Sequence, residues 1–171
     1  MPVSIDGPIA LPFQQLAKLL ASSQTFQTMV GAADFNAALD AIIWPEWYAS
    51  DSGTANAPVP GANIFQYPGM MLEIEEDSTV QAQLAIDLRK KPDGTLTSWR
   101  DKAREAMTTF GLIVKEMGEN ASDIQGNGQN YVELMDRPTI LHPVIRTEQD
   151  EEADENDEPF YVVQFMFTIG V

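Results

Sequence analysis

Cysteine is absent from the 171 residues. That excludes disulfide cross-links, thiolate zinc sites and a cysteine nucleophile, and it accords with a reducing cytoplasm. Histidine occurs once, as His142, so a multi-histidine metal site is excluded and any Ser/His/Asp triad must use that residue. No apolar run approaches the roughly 20 residues that span a bilayer. The first 20 residues lack a basic start and are broken by Pro2, Pro8 and Pro12, which argues against a signal peptide. Basic residues are scarce: ten Lys and Arg stand against 26 Asp and Glu, for a net charge of −16. A field of that sign repels nucleic acid and anionic membranes. The densest cationic stretch, Arg89-Lys90-Lys91 with Arg100, Lys102 and Arg104, is interleaved with Asp87, Asp93, Asp101 and Glu105. It reads as a mixed solvated surface, not a phosphate-binding stripe.

What is present is an ordinary globular composition, 44% hydrophobic and 21% charged, at the length of one domain. Residues 1–11 read as an extended arm. From Pro12, the spacing of Phe13, Leu16, Leu19 and Leu20 predicts a helix. Asp34 is placed to cap a second, with Ala38, Leu39, Ile42 and Ile43 on its apolar side and Pro45 as its stop. Residues 46–62 are rich in Ser, Gly, Ala, Asn and Pro and read as a long loop. Alternation then predicts strands over 70–75 and 80–89, the second closed by Pro92-Asp93-Gly94. The spacing over 98–117 predicts a helix with Ser98 as N-cap and Gly118 as C-terminal stop. Trp99, Ala103, Met107, Phe110, Val114 and Met117 form its expected apolar stripe, and Gly111 is expected to pack closely against a neighbour. Short strands follow over 131–135 and 139–147, Pro143 placing the latter near an edge. The final strand, 160–171, is apolar on both faces and belongs in the sheet interior. The order predicts a single α+β domain over 1–171, a mostly antiparallel sheet packed against helices.

Chemical signals are weak throughout. No G-x-S-x-G elbow is present, Gly126-Asn127-Gly128 lacks the length and lysine of a phosphate loop, and no pair of carboxylates stands out. No catalytic, cofactor-binding or metal-ligating residue is assigned, and the chain is read as a non-enzyme. The most conspicuous feature is the acidic run 148–158, with Asp150, Glu151, Glu152, Asp154, Glu155, Asp157 and Glu158. Its main reading is a solvated cover that keeps the apolar strands beside it from aggregating. An electrostatic role in an assembly and calcium binding are the other readings, although the glycine and terminal glutamate of a calcium loop are missing. Trp44, Trp47 and Tyr48 straddle Pro45; their main reading is a lid over the core, and as candidate interface residues they could instead anchor a partner.

The layout resembles that of the tail terminator proteins of long-tailed bacteriophages. Three stretches carry the likeness. They are Phe26-Gln27-Thr28-Met29-Val30-Gly31 with Ala37-Ala38-Leu39-Asp40-Ala41-Ile42, the strand–turn–helix unit from Leu84 to Met117, and the ending from Thr139-Ile140 through the acidic run to Tyr161-Val162-Val163-Gln164-Phe165. The resemblance implies a virion structural protein, assembled in the host cytoplasm, whose homohexameric ring caps the tail tube. Its implied partners are the tail tube protein and the head–tail connector, with DNA passing through unbound and no membrane involved. The arm and the 46–62 loop depart from the minimal layout and keep a head-closure, adaptor or tail-tube role open. A calcium- or partner-binding module using the acidic loop is the alternative of another class.

Overall fold

Two strands that alternate over ten residues and share an apolar face have a strong reason to pair. In the computed structural model, which describes residues 9–46, 58–75, 80–123, 132–146 and 160–171, they form the spine of a mixed sheet. The elements run α1 (Leu11–Ala21), α2 (Gln24–Val30), α3 (Phe35–Leu39), β1 (Ile42–Glu46), β2 (Gly61–Phe65) and β3 (Leu72–Ile74). They continue with β4 (Val80–Lys90), α4 (Trp99–Asp123), β5 (Glu133–Leu134), β6 (Thr139–Arg146) and β7 (Tyr161–Gly170). β4 and β7 pair antiparallel from Gln81↔Gly170 to Lys90↔Tyr161. The other edge of β4 carries β3 at its start and β2 further along, and the other edge of β7 carries β6 and β5. Among the described strands only β1 and β2 run parallel. The α+β architecture and the interior place of β7 are as the sequence implies.

The helices lie on one sheet face. Leu84, Ile86 and Leu88 of β4 and Val163, Phe165, Phe167 and Ile169 of β7 meet Leu16, Leu19, Leu20, Phe26, Phe110, Ile113 and Met117 in one buried cluster. Removing any of these large side chains costs about 2–5 kcal/mol, because the cavity left behind collapses only in part.

Several expectations are corrected. The helix capped by Asp34, whose carboxylate accepts the Ala37 amide at 2.8 Å, ends at Leu39 and not at Pro45. Ile42–Glu46 is a strand, because the β-branched pair Ile42-Ile43 gains a partner: Ile42 pairs with Ala62 and Ile43 with Asn63. Helix α2, absent from the sequence reading of element order, has Ser23 as N-cap and Gly31 in the left-handed region at φ 68° as its end. Of the loop expected over 46–62, Glu46 closes β1 and Gly61 opens β2, while 47–57 lie outside the described residues. At Gly61 a Cβ would lie 2.7 Å from the Ala41 carbonyl oxygen, so the close approach of β1 and β2 requires glycine. β2 escapes the alternation rule because all five of its residues are buried.

Helix α4 runs through Gly118 to Asp123. Its core stripe is Ala106, Phe110, Ile113 and Met117, whereas Met107 is 57% and Trp99 43% exposed. Gly111 faces open space, not a packed neighbour, since nothing lies within 4 Å of where its Cβ would be. Ser98 does cap the helix, its hydroxyl accepting the Arg100 amide at 3.2 Å. The strand expected over 70–75 is shorter, and Ile74 at its end is exposed.

Candidate functional site

Of the expected interface residues, Trp44 lies in β1, half-buried and packed against the core cluster, which favours the core-lid reading for that side chain. Trp47 and Tyr48 lie outside the described residues, as do Asp150, Glu151, Glu152, Asp154, Glu155, Asp157 and Glu158. The N-terminal arm is outside them as far as residue 8. The backbone of His142 sits on β6, whose strand partner among the described residues is β7 alone.

The sheet face opposite the helices carries a polar network that the sequence reading took for a solvated face. Cross-strand register sets Asn63 beside Asp87 and Asp87 beside Gln164. The Gln164 amide donates to Asp87 Oδ1 at 2.6 Å, and the Tyr67 hydroxyl donates to Gln164 Oε1 at 2.7 Å. Arg89, two residues along β4, places a guanidinium nitrogen 3.9 Å from Asp87 Oδ2 and lies 5.6 Å from the Phe160 ring centre. Asn63 is 1% and Arg89 7% exposed. Burial pushes the Arg89 guanidinium below its ordinary value, and the Asp87 charge opposes that shift. Asn63 Oδ1 and Arg89 Nε find no hydrogen-bond partner, each a cost of about 1–3 kcal/mol. The Gln164–Asp87 bond ties β7 to β4 across this face. The signal that could have revealed the network is the apolar character of Phe160, Val162 and Met166 on the same face, which implies cover for Asp87 and Arg89.

A second polar cluster joins two helices. Glu116 of α4 accepts from the Ser23 hydroxyl at 2.7 Å, the Thr25 amide at 2.9 Å and the Thr25 hydroxyl at 2.5 Å. Asn120, one turn on, donates to the Ser22 hydroxyl at 2.8 Å. Together they dock the start of α2 on α4. Burial pushes the Glu116 carboxyl up. The bonds from the Thr25 hydroxyl and amide, the Ser23 hydroxyl and the Gln24 amide outweigh that and hold it below the usual carboxylate range.

The outer surface offers two further features. Apolar side chains are exposed on the β5–β6 side of the sheet at Met135, Ile140 and Leu141, and on α4 at Met107 and Leu112. Cations gather where β4 ends and α4 begins. Lys90 forms an ion pair with Glu105 at 3.1 Å, Lys102 lies 4.4 Å from the Trp99 ring centre, and Arg104 pairs with Asp101 at 3.7 Å. Among the described residues no three His, Asp or Glu side chains gather as a metal site, and no helix is long and apolar enough to cross a membrane. No protein-family model and no curated protein matches the chain.

Proposed function

We propose that this chain is a structural subunit of a tailed-phage virion, a tail terminator whose homomeric ring caps the tail tube and meets the head connector. The observation that supports assembly is the apolar β5–β6 side of the sheet. Ile140 is 59% exposed on a strand with one described strand partner, and Leu141 and Met135 are exposed beside it. An apolar sheet edge is an aggregation hazard unless a specific partner covers it. The likeness to phage tail terminators, carried by the Leu84 to Met117 unit and the Thr139 to Phe165 ending, supplies the choice of assembly.

The test is sedimentation of the purified chain over a range of concentrations, with electron microscopy of the chain mixed with tail tubes. Rings of defined mass that bind one end of the tube are expected. A monomer at every concentration that leaves tubes unbound overturns the proposal.

A further inference from the structure

The described charges are segregated along the length of β4. At its C-terminal end lie Lys91, Arg100 and Arg104, all exposed, with Lys102 held over the exposed Trp99 ring. The Lys90–Glu105 ion pair and the bond from the Tyr161 hydroxyl to the Trp99 carbonyl at 3.3 Å bring the start of α4 to this end. At the N-terminal end of β4 the exposed charges are acidic. Glu73 pairs with Gln81, Gln81 with Gly170 and Gly170 with Glu133, so one cross-strand row carries a carboxylate at each side. Three strand spacings place these two about 14 Å apart. Exposed Asp136 follows on the same side, with Arg137 as its cationic neighbour. The two ends are separated by about 30 Å of strand.

We infer that copies of this chain associate head to tail, the cationic Trp99 end of one receiving the acidic Glu73–Glu133 end of the next. The inference rests on the assembly reading above and names the contact within it. In a chain of net charge −16, most surface pairings of two copies repel, and the cationic end is the place where a second copy is attracted. A contact between two different surfaces is heterologous, and such contacts generate rings when the rotation closes.

Two charge-reversed variants test the contact: K91E/R100E/R104E and E73K/E133K/D136K. Each reversal is on an exposed side chain, and circular dichroism checks that both variants fold. Sedimentation at low salt is expected to show self-association weakened by at least about tenfold in either variant alone and restored when the two are mixed, since each then meets an opposite charge. Wild-type association is expected to fall as salt rises. If the wild type assembles and both variants assemble equally well, the contact is wrong while the assembly reading stands. If each variant fails and mixing does not restore association, the acidic end is not the occupant and the inference is overturned. If the wild type is a monomer throughout, both readings fall together.

Discussion

Glu116 on α4 accepts the backbone amide of Thr25 at 2.9 Å, so one helix supplies an acceptor, beside the Ser23 N-cap, for the start of another 91 positions earlier in the chain. The free amides of a short helix start need an acceptor, and a carboxylate also favours the positive end of the helix. The seven residues of α2 bury only Phe26 fully, so its place depends on this docking.

The Glu116 carboxyl is held below its ordinary value of 4.5, which fixes the sign of a pH effect. A depressed folded value means stabilisation that is fully present above the unfolded value and is lost as pH falls through the folded one. Glu116→Gln imitates the protonated acid and is expected to cost about 1 kcal/mol at neutral pH. Urea melts at pH 7 and at pH 3 check this: the gap from wild type should narrow at the lower pH. A gap of equal size at both assigns the loss to shape, not charge.

The Asp87–Arg89 pair yields a second prediction. Removing one partner strands the other charge where water reaches it poorly. Asp87→Ala is therefore expected to destabilise by about 3 kcal/mol. Asp87→Leu combined with Arg89→Met removes both charges and should recover part of that loss, the remainder being the Gln164 amide left without its Asp87 acceptor. Chemical denaturation of the single and double variants decides it. Additive losses in the double variant contradict the pairing.

The same residues show where sequence reasoning stops. Alternation in β4 assigns Asp87 and Arg89 to the face away from Leu84, Ile86 and Leu88, and the structure agrees. Alternation cannot say whether that face meets water, since burial depends on Tyr67, Phe160 and Gln164, distant in sequence. Caps were legible because they are local: Asp34 and Ser98 act as their types and positions imply. The α4 stripe was misread at Trp99 and Met107, which are apolar yet exposed, and it missed Ala106 and Ile113, which are buried. β1 was lost because a two-residue β-branched pair before a proline reads equally well as a helix end, and only its parallel partner β2 settles the matter.

The glycines give a third prediction with opposite signs. A Cβ on Gly111 or Gly118 meets nothing within 4 Å inside the helix α4, so Gly111→Ala is expected to stabilise by up to about 1 kcal/mol. A Cβ on Gly61 would clash with the Ala41 carbonyl oxygen at 2.7 Å, and Ala41 also accepts the Ala62 amide at 3.0 Å. Gly61→Ala must push β1 from β2 and is expected to destabilise. Thermal melts of the two variants should move in opposite directions, and a shared direction contradicts the placement of one glycine.

The apolar sheet edge separates folding from assembly. Ile140 is 59% exposed, so Ile140→Lys removes little buried area within the subunit and is expected to change its stability by less than about 0.5 kcal/mol. A lysine on an edge strand also opposes pairing with another chain, the device by which natural sheets keep their edges single. If the edge is covered in an assembly, the variant should keep the wild-type urea midpoint while its association, read by sedimentation, weakens by about tenfold or more. An unchanged midpoint with unchanged association places the interface away from β6.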